Sequence, residues 1–235
     1  MAAYFAGCVT IPLPGMKVPL STHKPSIPKL TERNRLLGAL LPERSSYDVQ
    51  HYDINIDIDV ENKSLKGYVD FTAIAVNDFT KLQVDLAKAM QLNGVWYQEK
   101  QLSTSRSEDA VFIDFPEVKE GTEFTFRVKY EGHPQEAKNP PWDGGFIWGK
   151  DEMDRDYVSV ACEGDGCGLW WPLKDHISDE PDRGATMTFT VPKELVCVSN
   201  GKLISTTQDV FTGKQSYTWE VKSPINNYNI SVQLG

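Results

Sequence analysis

From Tyr47 onward, apolar and polar positions alternate in twos. Tyr52, Ile54, Ile56, Ile58 and Val60 interleave with His51, Asp53, Asn55, Asp57 and Asp59, the mark of a strand with one buried and one wetted face. After a turn at 61–64, Leu65, Gly67, Val69, Phe71 and Ala73 share a face, which predicts a hairpin. Leu82, Val84 and Leu86 predict a third strand, and 92–97 a fourth. Val111, Ile113 and Phe115, then Phe124, Phe126, Val128 and Tyr130 beyond Glu120-Gly121, read as a second hairpin. Alternation returns at 185–191, continues through 196–199 to an Asn200-Gly201 turn, and closes with 217–221 and 228–234. About ten short strands with hardly a helix predict antiparallel sheets packed face to face or curved over one another. One short helix is expected at 31–41, with Thr31 as its N-cap and Pro42 as its stop.

Two stretches depart from the alternation. Between 132 and 156, His133-Pro134 and Asn139-Pro140-Pro141 oppose ladder pairing, and Trp142, Phe146 and Trp148 lie among glycines, so a long irregular loop is expected. The other stretch is 157–181. A strand ends in Glu163, a Gly-Asp-Gly turn follows, and the chain returns through Trp170, Trp171 and Pro172. Gly164, Gly166 and Gly168 permit a tight fold, and a carboxylate ringed by glycines and backed by tryptophans is a candidate recognition group. The plainer alternative is a solvated loop acid beside core tryptophans.

The 235 residues fit one large all-β domain as readily as two small ones, and a 40% hydrophobic content suffices for a sizeable core. Prolines at 12, 14, 19, 25 and 28 mark residues 1–30 as an extended tail or processed leader ahead of a β-rich domain at 31–235. Phe5-Ala6-Gly7-Cys8 resembles a bacterial lipoprotein processing box on a very short leader, which would export the protein; otherwise it is cytoplasmic. A net charge of -9 without a basic run argues against nucleic acid and anionic membranes, and no stretch is apolar enough to span a bilayer. Cys162 and Cys167 match no zinc finger or ribbon, and spacing leaves open whether they are thiols or a disulfide. No H-E-x-x-H, G-x-S-x-G or phosphate-binding loop is present. Asp175, His176, Asp179, Glu180 and Asp182 form an acidic run that invites a metal reading, but it lacks the hinge and spacing of a calcium loop.

An ordered series of short segments then carries a resemblance. Tyr47-Asp48-Val49-Gln50-His51-Tyr52-Asp53-Ile54, Leu65-Lys66-Gly67, Val84-Asp85-Leu86, Gly145-Phe146-Ile147-Trp148, Ala161-Cys162-Glu163, Trp171-Pro172-Leu173-Lys174-Asp175, Val191-Pro192-Lys193, Ser199-Asn200-Gly201 and the 224–230 segment are similar, in order, to the N-terminal domain of the aminopeptidase N family of zinc metallopeptidases, the gluzincins that include leukotriene hydrolase. The resemblance implies an all-β, largely antiparallel, saddle-like β-sandwich, followed in the family by a catalytic domain that holds zinc. It implies no cofactor in this chain and none of the zinc ligands. One site residue carries over: Glu163, eight residues before Trp171, falls where the family places a Gln or Glu that helps hold the substrate's free α-amino group. Implied partners are peptide N-termini and the C-terminal catalytic domain, with the chain alone inactive. Where the family often has Asp-Glu-Pro directly, Asp175 is separated here from Asp179-Glu180-Pro181. The alternative is a stand-alone β-sandwich binding module that uses the 142–148 loop.

Overall fold

The alternation that opens at Tyr47 becomes the first strand of a large sheet, in a computed structural model that describes residues 29–235. Cys8 and nearly all of the expected leader lie outside the described residues. In chain order the first strands are β1 (Tyr47–Asp59), β2 (Ser64–Ala75), β3 (Phe79–Asp85), β4 (Met90–Tyr97) and β5 (Lys100–Leu102). Then come β6 (Thr104–Ser107), β7 (Ala110–Val118), β8 (Glu123–Gly132), β9 (Gly145–Lys150) and β10 (Asp156–Ala161). The last five are β11 (Ala185–Pro192), β12 (Cys197–Ser199), β13 (Lys202–Asp209), β14 (Lys214–Val221) and β15 (Val232–Leu234). Eight of them form one sheet in the order β13-β14-β11-β1-β2-β8-β4-β5, and two smaller sheets run β12-β15-β10-β9 and β3-β7-β6. The fold is all-β, as the periodicity requires, and antiparallel in the large sheet except at one junction. There β1 and β11 run parallel, from Tyr52 opposite Ala185 to Asp57 opposite Thr190.

Strand β1 changes phase partway along. Tyr47 and Val49 are buried at odd positions, whereas Tyr52, Ile54, Ile56 and Ile58 are buried at even ones. A register shift between Val49 and His51 against β2 inserts the extra residue, the work of a β-bulge, and it turns Gln50 inward.

The core lies between the large sheet and the two small ones. Phe71 of β2 stacks on Phe126 of β8 at 4.5 Å, and Phe115 of β7 meets Phe126 edge-on at 5.4 Å. Toward β1 and β11, Trp171 packs edge-on against Tyr52 at 5.0 Å, and Trp170 stacks on Phe189 at 6.3 Å. Both tryptophans are wholly buried, and truncating either to alanine is worth roughly 3–5 kcal/mol.

Several expectations are corrected here. β7 and β8 are not a hairpin: they belong to different sheets, and their facing aromatics meet across the core. The irregular stretch after residue 132 contains β9, which pairs with β10 from Gly145 opposite Ala161 to Lys150 opposite Asp156. The expected last strand at 228–234 is shortened to β15 by a 3-10 turn at Asn227–Asn229. Thr31 does cap a helix, α1 (Glu32–Gly38), in a reciprocal capping box with Asn34. Pro42 does not stop it, since α1 ends at Gly38; instead Pro42 opens a second turn, α2 (Pro42–Ser45), where its missing N–H costs nothing.

Candidate functional site

Strand β10 ends at Ala161, and the next six residues form a closed ring. The sulfurs of Cys162 and Cys167 are joined, with their Cα atoms 5.2 Å apart, and Gly166 N donates to the Cys162 carbonyl at 2.9 Å. Gly164 and Gly166 take φ values of 74° and 78°, the left-handed region that glycine adopts without a Cβ penalty. At Gly166 the requirement is double, because a Cβ there would lie 2.2 Å from Asp175 Oδ2. That same oxygen accepts from Gly168 N at 2.9 Å. Asp175 thus fastens the far side of the ring; burial raises its pKa, against the pull of the Gly168 N–H.

Two further side chains grip the ring at Asp165. Arg33, on α1, reaches Asp165 Oδ1 at 3.4 Å while its Nε donates to Asp109 Oδ2 at 2.5 Å. From the other side, Gln135 Nε2 donates to Asp165 Oδ2 and to the Gly144 carbonyl, both at 2.9 Å. The held ring presents Glu163 to solvent. Its side chain has one hydrogen-bond partner among the described residues, the Tyr228 hydroxyl, which donates to Oε2 at 2.5 Å. The carboxylate in turn raises the Tyr228 pKa, chiefly through that hydrogen bond.

The acidic run does not converge. Asp175 serves Gly168 N, and His176 Nδ1 lies 2.7 Å from Ser178 Oγ. Asp179 makes a buried ion pair with Lys174. Glu180 accepts from Asn226 Nδ2 at 3.3 Å, and Asp182 from Gln50 Nε2 at 3.2 Å. Among the described residues no group of three or more His, Cys, Asp or Glu could hold a metal ion.

Of the five aromatics that the sequence sets around the site, Trp142 is 76% exposed, Trp148 is half-buried, and Phe146, Trp170 and Trp171 are core. Phe146 stacks on Trp148 at 5.0 Å and meets Trp170 edge-on at 5.9 Å, so most of the 142–148 loop is occupied with its own cover. Tyr228 is the site neighbour that sequence reasoning missed. It lies 65 residues from Glu163, and the only signal for it was the Asn226-Asn227-Tyr228 segment within the resemblance.

The β-rich fold is shared with solved metallopeptidases. An M1 zinc metallopeptidase from Deinococcus radiodurans, solved as an E323A mutant bound to a Tyr-Ser-Ala substrate, is similar with a TM-score of 0.68 at 21% identity, over 81% of this chain and 43% of that one. Leukotriene A4 hydrolase from Saccharomyces cerevisiae is similar with a TM-score of 0.63 at 18% identity, over 80% of this chain and 29% of that one. This chain therefore spans less than half the length of either. The Peptidase M1 N-terminal domain profile matches residues 48–228, and the chain belongs to that family. No curated protein matches it. Zinc, the metal named for the Deinococcus radiodurans enzyme, finds no donor set among the described residues.

Proposed function

We propose that residues 31–235, preceded by an extended tail or processed leader at 1–30, form the substrate-anchoring N-terminal domain of a zinc-dependent aminopeptidase, and that Glu163 holds the free α-amino group of a peptide. The zinc belongs to a catalytic domain elsewhere in the whole protein. The observation that carries this reading is an exposed carboxylate on a loop fixed at four points: the Cys162–Cys167 bond, Asp175, Arg33 and Gln135.

An aminopeptidase must distinguish a free N-terminus from an internal amide, and the charge that marks the difference is the α-ammonium, with a pKa of about 8. A fixed carboxylate reads that charge. At about 4 Å and an effective dielectric near 20 the gross attraction is roughly 4 kcal/mol, of which desolvation leaves a smaller net share. The same contact sets how far the first peptide bond lies from the reacting centre, so it governs positioning as well as affinity.

The alternative of a stand-alone module that binds through its aromatic loop has one observation in its favour, the exposure of Trp142. A single exposed aromatic, with Phe146 buried and Trp148 half-buried beside it, offers a smaller surface than that reading needs. The test is hydrolysis of Tyr-Ser-Ala and of its N-acetylated form by the full-length protein. Glu163→Ala is expected to lower kcat/KM for the free amine by at least about tenfold, equivalent to ~1.4 kcal/mol. Glu163→Gln, which keeps an accepting oxygen, loses less. Unchanged kcat/KM in Glu163→Ala, with folding intact, overturns the reading.

A further inference from the structure

We infer that Tyr228 is a positioning residue for the amine anchor, its hydroxyl locking the Glu163 carboxylate in the one orientation that leaves Oε1 open to a ligand's ammonium. The inference rests on the proposed role of Glu163. An exposed glutamate has three rotatable side-chain bonds and no reason of its own to choose one rotamer. Here a single external contact fixes it, the Tyr228 O–H to Oε2 at 2.5 Å, within the short range of charge-assisted O–H···O⁻ bonds. A carboxylate has about four lone-pair sites, so one donor on Oε2 leaves Oε1 and half of Oε2 to receive an –NH3⁺ group.

For this to work, Tyr228 must itself be held, and the contacts of its turn hold it. Asn226 Oδ1 accepts from Tyr228 N at 3.0 Å and caps the 3-10 turn. The next residue, Asn227, is buried and donates from Nδ2 to the Lys174 carbonyl at 3.1 Å and toward the Asp179 carbonyl at 3.5 Å. The Asn227 carbonyl oxygen lies 3.1 Å from Cys167 Sγ, a contact and not a hydrogen bond, since a disulfide sulfur carries no proton. The turn that presents the phenol therefore rests on the same disulfide that closes the Glu163 loop. Donor and acceptor share one base although 65 residues separate them. The hydrogen bond to the carboxylate raises the phenol's pKa, which favours its protonated, donating form.

Tyr228 is 47% exposed, so Tyr228→Phe removes the donor and keeps the ring without burdening the fold; equal melting temperatures check this. In the full-length enzyme, with Tyr-Ser-Ala as probe, Tyr228→Phe is expected to lower kcat/KM by about fivefold, mostly through KM. In a Glu163→Ala background the same change should do nothing further, because there is no carboxylate left to orient. A Tyr228→Phe effect that multiplies with Glu163→Ala, or none at all while Glu163→Ala is impaired, overturns the positioning role and leaves the anchor standing. An unimpaired Glu163→Ala enzyme overturns both.

Discussion

Arg44 and Asp85 form a buried ion pair, their side chains 0% and 1% exposed. The pair joins α2 to the end of β3 and to the segment behind the site, since Arg44 also donates to the Leu37 carbonyl at 2.5 Å and to the Asp175 carbonyl at 2.8 Å. Asp85 in turn accepts from Gln83 Nε2 at 2.8 Å and from Asp175 N at 3.0 Å. Arg44→Leu leaves a buried carboxylate without its cation, a loss of roughly 3–5 kcal/mol. Urea unfolding should show a lower midpoint at unchanged m-value; a loss below about 1 kcal/mol would mean that the remaining donors suffice.

The same carboxylate shapes the pH dependence of stability. Burial pushes the Asp85 pKa up to about 6, against the pull of Arg44. Burial likewise raises Asp175, Asp179, Asp53 and Asp48. A group with a raised native pKa binds its proton more tightly when folded, so stability falls as pH rises from the ordinary carboxylate range through about 6. Asp59, Asp78, Asp151 and Asp209 are lowered by hydrogen bonds and act in the opposite sense, at more acid pH. His176, lowered chiefly by burial, opposes the raised carboxylates near its ordinary range, but it is one half-buried imidazole against five of them, so the melting temperature is expected to be higher at about pH 5 than at about pH 7 and to drop below about pH 4. A calorimetric series rising steadily from pH 5 to pH 8 would contradict this.

Gly164 and Gly166 separate strain from crowding. A Cβ on Gly164 meets nothing within 4 Å, whereas one on Gly166 lies 2.2 Å from Asp175 Oδ2. Gly164→Ala is expected to cost the left-handed penalty alone, about 1–2 kcal/mol. Gly166→Ala must also displace Asp175 from Gly168 N, so it should be the less stable variant in thermal melts and should disturb free-amine hydrolysis more. Equal stabilities would show that Asp175 yields easily.

The Cys162–Cys167 bond spans a sequence separation of 5, and closing so short a ring removes little chain entropy. Replacing both cysteines by serine should cost only ~2 kcal/mol of stability. Its larger consequence is at the site, where Glu163 loses its rigid base. Cys197 is a different case: it is buried and free, and burial pushes its pKa up to about 12. Peptide mapping after alkylation of the native protein at pH 8 should find Cys197 unmodified; rapid modification would mean that the β12 region opens.

Much of the architecture was legible because a strand with one wet face writes its period into the sequence. β1 and β2 stood out in this way through Tyr52, Ile54 and Ile56 against Val69 and Phe71. Alternation fixes which side chains face inward but not which strand is the neighbour. Phe115 and Phe124 accordingly read the same whether their strands pair within a sheet or face each other across the core, as they do. β13 left no trace, because all eight of its residues are exposed and no period distinguishes one face from the other. β9 was hidden behind Asn139-Pro140-Pro141, whose effect ends before Gly145. At the site, Glu163 was visible as a carboxylate closing a strand next to glycines. Tyr228 was not, since a contact 65 residues distant depends on how β10 and β15 pair.

The parallel junction between β1 and β11 bears on how the protein is made. One edge of β1 can pair with β2 as soon as the hairpin has emerged from the ribosome, but its other edge waits for residues 185–190. At the usual ~5–20 residues per second of synthesis, an apolar strand edge stays unpaired for seconds, a template for another chain. Yield in cells should therefore respond to temperature and chaperone supply more than the finished domain's stability would suggest.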